Sequence, residues 1–99
     1  MQIKQQEYNH KGSFFVEENG KLQAELTYTL SHPDILIIVH TEVSISLKGK
    51  NVGYQLLEQA AEFARKKNYK IIPHCTFAQS VFKKKRAAFE DVLKESLGA

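Results

Sequence analysis

Polar and apolar residues alternate through much of the first half of the chain, which predicts β-strands. The clearest example is KLQAELTYTL, residues 21–30, whose apolar residues fall on one strand face: Leu22, Ala24, Leu26, Tyr28 and Leu30. Two shorter strands, QIKQQEY and SFFVEE, precede it, with a turn expected at HKG between them. The dipeptide Asn19–Gly20 predicts a tight hairpin before the third strand.

A fourth strand is predicted for ILIIVHTEV, residues 35–43. Its first residues are apolar at consecutive positions, as in a central strand that is covered on both faces.

The hydrophobic period changes to 3.6 after Gly53, which predicts an amphipathic helix over Tyr54–Lys67. Its apolar stripe consists of Val52, Leu56, Leu57, Ala60, Ala61 and Ala64. A short buried strand, stopped by Pro73, is expected to follow. Residues 76–97 then predict a turn-rich helical segment and a second helix, whose core stripe is Phe89, Val92, Leu93 and Leu97.

The predicted order is β-β-β-β-α-β-α-α in a single domain of 99 residues. An antiparallel meander followed by a right-handed βαβ crossover gives a mixed, mostly antiparallel sheet of the α+β class. Ligands of such crossover units usually lie where the strand ends and the next helix begins.

The charge and composition of the chain limit the kinds of molecule that it is expected to bind. The net charge is +3, and a basic cluster covers Lys83–Arg86, which suits an anion such as nucleic acid or a phosphorylated small molecule. A solvated helix face explains such a run more often. No apolar run is long enough for a membrane span, no leader pattern opens the chain, and Cys75 is the only cysteine. We therefore expect a cytoplasmic protein with no membrane partner.

The segment LKGKNVG, residues 47–53, leads from the fourth strand into the helix. The helix start offers unpaired backbone N–H groups, and Gly49 and Gly53 allow a close approach of the backbone to an anion. Lys48 and Lys50 add positive charge. The loop would suit a pyrophosphate, although two glycines before a helix are common.

The surrounding sequence resembles the GNAT superfamily of acyl-CoA-dependent N-acetyltransferases, in particular its minimal single-domain bacterial branch. The superfamily signature maps onto Lys48–Gly53, and the branch shares the HTEV strand end at His40–Val43. The branch also shows the pattern AxxxARxxxxKIxPxC, which matches Ala60–Cys75, and the phenylalanine that matches Phe77.

The sequence departs from the family pattern in the loop, in the segment that joins the fourth strand to the loop, and in the helix after the cysteine. Asn51 stands at the middle glycine of the signature, and asparagine is the residue that best replaces glycine at positive φ. The segment SIS, residues 44–46, stands where the branch commonly has prolines. Val81, with Phe82 beside it, stands where the family usually has a tyrosine, so one proton donor is missing.

The resemblance implies that acetyl-CoA binds as a cosubstrate between the fourth and fifth strands. Its pantetheine would pair with Val43, Ser44 and Ile45, and a backbone N–H near that strand end would polarise the acetyl carbonyl. Its pyrophosphate would lie on the loop and the helix start, formed by Lys48, Gly49, Lys50, Asn51, Val52, Gly53 and Tyr54.

Three residues near this opening are candidates for catalysis. Glu42 matches the family's frequent strand carboxylate and would act as the base, and His40 shares its strand face. Cys75 precedes a predicted helix, whose N-terminus would favour the thiolate together with His74. The cysteine would relay a proton or take the acetyl group covalently.

Each candidate also has a plainer explanation. A lone cysteine is more often a small buried side chain, His40 can be a core or rim residue, and Glu42 can simply pair with a lysine. A metal site from His40, His74 and Cys75 lacks the usual ligand spacing, so we expect no metal. A Cys–His hydrolase lacks a third orienting residue.

The leading prediction is an acetyl-CoA-dependent N-acetyltransferase, an acyltransferase with an unidentified amine acceptor. The alternative is a CoA-binding or protein-interaction module with little catalysis. A nucleic-acid-binding domain that uses Lys83–Arg86 with Phe82 and Phe89 is disfavoured, because Phe89 belongs to the core stripe and no nucleic-acid motif is present.

Overall fold

The computed structural model describes residues 1–31 and 33–94 and confirms the predicted α+β class. The strands are Lys4–Tyr8 (β1), Lys11–Glu18 (β2), Lys21–Ser31 (β3), Ile35–Val43 (β4) and Lys70–Pro73 (β5). The helices are Val52–Lys67 (α1), Thr76–Lys84 (α2) and Arg86–Phe89 (α3), and a 3₁₀ turn covers Ile45–Leu47.

The five strands form one sheet in the order β1-β2-β3-β4-β5. The first four strands pair antiparallel, as two tight turns and a short connection require. β5 pairs parallel to β4 after the crossover through α1. The predicted mixed sheet and its element order are therefore confirmed.

Both hairpin turns consist of two residues at positive φ. Asn19 (φ 53°) and Gly20 (φ 76°) form the turn that the sequence predicts. The first turn lies instead at Asn9 (φ 54°) and His10 (φ 67°), so the expected turn at HKG is wrong by one or two positions. The first turn has no glycine to mark it, and its asparagine takes the positive φ.

The core lies on one face of the sheet, which we call the inner face. α1 packs on this face and buries the whole predicted stripe, and the helix begins at Val52, two residues before the predicted start. The strand side chains beneath it are almost fully buried: Leu26, Tyr28, Leu36 and Ile38.

The opposite, outer face carries no helix among residues 1–31 and 33–94. Ile35 and Ile37 of β4 point outward and are only half-buried, whereas their neighbours Leu36 and Ile38 are completely buried. The prediction that β4 is covered on both faces is therefore wrong. Leu22 is also more exposed than predicted, at 52%, because a register shift follows Val16 on the paired strand.

A β-bulge interrupts the pairing of β3 with β4. Thr27 lies opposite His40, whereas the next residue, Tyr28, lies opposite Ile38. Val39 is therefore an extra residue in β4.

After the bulge, each side chain of β4 points to the face opposite to the one that regular alternation from Ile38 would give. Thr41 and Val43 lie on the inner face, opposite buried residues of β3. His40 and Glu42 lie together on the outer face, and they share that face as the sequence predicts.

The helix predicted to run through residues 91–97 ends earlier. α3 stops at Phe89, and the chain then turns to lie beside β5. There Ile71 N–H donates to the carbonyl of Val92, and the carbonyl of Ile71 accepts from Lys94 N–H. These bonds satisfy the backbone of β5 better than a longer helix would. Phe89 and Val92 are buried and Leu93 partly so, as predicted, and Leu97 lies outside the described residues.

Candidate active site

The sheet opens at the carboxyl ends of β4 and β5. The two strands pair only as far as Ile38 and Pro73, and one further bond joins His74 N–H to the carbonyl of Ile38. β4 continues to Val43. Beyond Ile38, the edge of β4 on the β5 side has no strand partner among residues 1–31 and 33–94. Unpaired backbone groups at an open edge are available to a ligand.

A cavity of about 580 Å³, which we call the inner cavity, lies at this opening. It is formed by the end of β4, the following loop, the start of α1 and one side of α2. The lining residues are Thr41, Val43, Leu47, Lys48, Gly49, Asn51, Val52, Gly53, Tyr54, Phe77, Val81, Lys84 and Lys85.

The loop before α1 directs backbone donors toward this cavity. The first bond of the helix joins Gln55 N–H to the carbonyl of Asn51 at 3.1 Å. The N–H groups of Val52, Gly53 and Tyr54 precede that bond and have no protein acceptor in the described part of the chain. No acidic side chain lies in the first turn, so the helix terminus can receive an anion.

Asn51 adopts the left-handed conformation predicted for it, with φ 63° and ψ 26°. Gly49 has φ 82°, and no atom lies within 4 Å of where its Cβ would be. Both residues therefore allow the loop backbone to turn at positive φ.

Gly53 has a different role, because its φ is ordinary. A Cβ atom at this position would lie 2.7 Å from Cζ of Phe77, so the glycine allows α1 and α2 to approach each other. The family signature includes this glycine, but nothing in the sequence shows that the ring of Phe77 packs against it.

Seven of the ten predicted cofactor-binding residues line the inner cavity, and Ser44, Ile45 and Lys50 do not. Ser44 N–H donates to the carbonyl of Gln23 at 2.7 Å, and its own carbonyl accepts from Leu47 N–H. Ile45 is 84% exposed. Lys50 N–H donates to Leu47, so the backbone donor of Lys50 is already engaged.

Cys75 caps the N-terminus of α2 on the inner face. Its Sγ accepts a hydrogen bond from Ala78 N–H at 3.3 Å and lies 3.4 Å from Oγ1 of Thr41. The cysteine is half-buried and does not itself line the inner cavity, whereas Thr41 does. Sequence reasoning missed Thr41, because the β4 bulge decides its direction.

The other two catalytic candidates lie on the outer face. His40 Nε2 is 3.6 Å from Oε2 of Glu42, and both side chains are largely exposed. The sheet therefore separates this pair from Cys75, so the three candidates do not form one cluster.

The helix after the cysteine supplies no phenol to the cavity. Val81 lines the cavity where the family's tyrosine would stand, and Phe82 is buried against Phe89 with ring centroids 4.9 Å apart. The phenol that does line the cavity belongs to Tyr54, whose ring packs edge-on against Phe89.

Two lysines of the basic cluster, Lys84 and Lys85, also line the cavity. They follow Phe77 by seven and eight positions, and Val81 follows it by four. These residues therefore share one side of α2, a spacing that the sequence contains and that becomes informative once the start of the helix is known.

The comparisons with known proteins agree with this geometry. Residues 13–92 match the family model of the GCN5-related N-acetyltransferases. The chain therefore belongs to the GCN5-related N-acetyltransferase family, which confirms the resemblance and the class of enzyme. No curated protein matches the sequence. The described helices include none with the length and apolar character of a membrane span.

Solved structures extend the match. A GCN5-like candidate N-acetyltransferase from Staphylococcus aureus is 34% identical, with a TM-score of 0.71 over 97% of this chain and 90% of that one. Tetrahymena GCN5 is 18% identical, with a TM-score of 0.65 over 79% of this chain and 51% of that one. The aminoglycoside N-acetyltransferase AAC(6')-Iy, solved with CoA, is 16% identical, with a TM-score of 0.61 over 91% and 75%. The chain thus spans about half of the Tetrahymena protein.

Proposed function

We propose that this protein transfers the acetyl group of acetyl-CoA to an amine. The observation that carries the proposal is the inner cavity, where the free N–H groups of Val52, Gly53 and Tyr54 meet the unpaired edge of β4. The free N–H groups suit a pyrophosphate, and the unpaired strand edge suits the amide-containing pantetheine chain.

The basic residues at the cavity extend this assignment. Lys48 lies on the loop side, and Lys84 and Lys85 lie on the α2 side. A pyrophosphate at the start of α1 would leave the ribose phosphate of CoA within the field of the α2 lysines. The basic cluster then serves a nucleotide cofactor, and nucleic-acid binding loses its aromatic partners because Phe82 and Phe89 are buried.

In the reaction, the amine nitrogen bonds to the acetyl carbon and the carbon–sulfur bond of the thioester breaks. An ammonium ion first gives one proton to a base, and the nitrogen loses a second proton as CoA leaves and becomes a thiol. The sum is an ammonium ion and acetyl-CoA going to an amide, CoA thiol and one released proton. The unpaired N–H groups of β4 would stabilise the oxyanion that forms in between.

Glu42 and Cys75 would act from opposite sides of the sheet. Glu42 is exposed on the outer face and would receive the proton of the incoming amine, with His40 beside it. Cys75 lies on the cofactor side, where it would protonate the leaving thiolate or take the acetyl group as a thioester before the amine attacks.

Titration with acetyl-CoA, monitored by calorimetry, tests the cofactor assignment. We expect saturable one-site binding that a Gly53→Val substitution abolishes, because Phe77 occupies the space of the new side chain. No binding at millimolar acetyl-CoA would refute the proposal. Intact mass after incubation with acetyl-CoA alone separates the two routes, since only the covalent route adds one acetyl group at Cys75.

A CoA-binding module with little catalysis is the second candidate function. It is favoured by Val81, which leaves the family's tyrosine position without a hydroxyl, and by the separation of Glu42 from Cys75. Normal affinity for acetyl-CoA with no transfer to any member of a broad amine panel would support it.

A further inference from the structure

The outer face of the sheet presents its side chains in rows that cross four strands. One row consists of Gln6, Ser13, Thr27 and His40, which are successive cross-strand partners. The next row, two residues along each strand, consists of Lys4, Phe15, Glu25 and Glu42. We call the first the polar row and the second the acidic row.

Ser13, in the polar row, is the residue that needs an explanation. It is only 3% exposed, and its hydroxyl has no hydrogen-bond partner among residues 1–31 and 33–94. Native proteins rarely leave a buried hydroxyl without a partner. Ser13 lines a cavity of about 470 Å³ on the outer face, the outer cavity, together with Glu25 and Thr27.

One carboxylate of the acidic row, that of Glu25, lines this cavity. Glu25 and Glu42 lie directly opposite each other on β3 and β4, an arrangement that destabilises a sheet. No ion pair within the described ranges involves Glu25, and Glu42 has only His40. Lys11 also lines the outer cavity, but at the end next to the β1–β2 turn, where it pairs with Tyr8. A cation between the two carboxylates would offset their repulsion.

Shared lining residues relate the outer cavity to the proposed cofactor site. A smaller cavity of about 230 Å³, the edge cavity, is lined by both Glu25 and Glu42 and also by Val43. Glu25 lines the outer and the edge cavities, and Val43 lines the edge and the inner cavities. These shared residues place the three cavities in sequence along one surface, from Ser13 past the two carboxylates to the end of β4.

We propose that this surface binds the acetyl acceptor, and that the acceptor is a linear diamine or polyamine. The inference rests on the proposed acetyl transfer and identifies its acceptor. One ammonium group lies between the Ser13 hydroxyl and the Glu25 carboxylate and stays unchanged. The second amine lies beside Glu42 at the end of β4, and it undergoes the bond and proton changes described above.

The spacing of the strands sets the length of the acceptor. Neighbouring strands are about 4.8 Å apart and residues rise about 3.3 Å along a strand, so the two nitrogen sites lie roughly 10 Å from each other. A flexible methylene chain of that length also suits the small edge cavity and its apolar members Leu22 and Val43.

Acetyl transfer to diaminooctane, octylamine and diaminopropane tests the proposal. Octylamine has the same chain without the second charge, and diaminopropane is too short to reach both sites. We expect kcat/KM for diaminooctane to exceed that of either amine by about tenfold, the effect of one well-placed charge contact. Equal values for diaminooctane and octylamine would overturn the proposal.

Two variants locate the effect. Glu25→Gln is expected to reduce the ratio of the kcat/KM values for diaminooctane and octylamine to near one, whereas the matched variant Glu17→Gln keeps the wild-type ratio. Glu17 is an exposed carboxylate of the same sheet that lines none of the three cavities. A ratio that responds equally to both substitutions would show a general charge effect and would refute the site.

A binding experiment separates this inference from the proposed function. Diaminooctane added without acetyl-CoA should shift the backbone amide signals of Ser13 and Thr27 in NMR spectra, and should do so less in Glu25→Gln. Such shifts without acetyl transfer would uphold the amine site and refute the transferase proposal. Acetyl transfer without such shifts would uphold the transferase proposal and refute the amine site. If the protein acetylates a lysine peptide in preference to diaminooctane, the acceptor is a protein rather than a small amine.

Discussion

The side chains of Thr41 and Cys75 meet on the inner face of the sheet, with Oγ1 and Sγ 3.4 Å apart. The contact depends on the bulge at Val39, since without the extra residue Thr41 would point to the outer face. Thr41 lines the inner cavity and Cys75 caps α2, so this contact joins the cavity to the helix that forms its far side.

Replacing Thr41 by valine should therefore impair transfer more than cofactor binding. Valine keeps the shape but removes the hydroxyl at the sulfur, and a typical hydrogen bond contributes about 0.5–1.5 kcal/mol. We expect kcat to fall by up to about tenfold, with an acetyl-CoA affinity close to that of the wild type. Thr29→Val on the outer face is the matched control, and an equal loss in both variants would exclude a specific role for Thr41.

The approach of α2 to α1 at Gly53 gives a second prediction. Gly53→Ala places a methyl group against the ring of Phe77 and should cost about 1–3 kcal/mol in the free energy of unfolding. The added substitution Phe77→Leu should recover part of this loss, as chemical denaturation would measure. Gly49→Ala is the control, because Gly49 has φ 82° and no described atom near the position of the new methyl group. Its loss of stability should be the same with and without Phe77→Leu. If the losses from Gly53→Ala and Phe77→Leu simply add, the packing explanation is contradicted.

Asn51 gives a third prediction, because its backbone conformation rather than its side chain shapes the loop. Its side chain makes no capping hydrogen bond, so Asn51→Gly should leave the acetyl-CoA affinity within a few fold of wild type. Asn51→Val must place a branched residue at φ 63°, at a cost of roughly 1–2 kcal/mol, and should weaken binding.

Asn68 is a matched control for this experiment. It has nearly the same backbone conformation, φ 61°, at the other end of α1. Asn68→Val should lower the free energy of unfolding without weakening the binding of acetyl-CoA to the folded protein. Equal effects of the two valine substitutions on binding would show that the loop conformation at Asn51 is not specific to the ligand.

The sequence predicts the elements and the loop well because local periodicity determines them. The stripe of α1 and the turn at Asn19–Gly20 follow from patterns within a few residues, and both are confirmed. The covered outer face, by contrast, is a wrong prediction, because consecutive apolar residues at the start of β4 do not reveal how many layers pack on the sheet.

The candidate site is less predictable, since it depends on an irregularity in the sheet. A single extra residue at Val39 directs Thr41 to the inner face and Glu42 to the outer face. No feature of HTEV marks this bulge, and period-two reasoning alone cannot say which side each residue faces. The unpartnered hydroxyl of Ser13 likewise becomes visible only when three strands are in register.

Tyr28 predicts how stability depends on pH. Burial, together with the hydrogen bond that its hydroxyl donates to Glu7 at 2.7 Å, raises the pKa of Tyr28 well above its ordinary value of 10.0. The folded protein therefore holds this proton where the unfolded chain loses it, so the free energy of unfolding should fall as pH rises above 10. Tyr28→Phe should reduce this slope in denaturation curves, whereas Tyr8→Phe, at an 86% exposed site, should not.

The lysines at the end of α2 give the most direct test of how the cofactor lies. If Lys84 and Lys85 face the ribose phosphate of CoA, the double substitution to glutamine should weaken CoA binding by about tenfold, and more at low salt than at high salt. The same variant should bind dephospho-CoA, which lacks that phosphate, nearly as well as the wild type does. Lys83→Gln removes a neighbouring charge that does not line the cavity and should affect neither ligand. Equal losses for CoA and dephospho-CoA would place the lysines at the pyrophosphate instead, and no loss for either would remove them from the cofactor site.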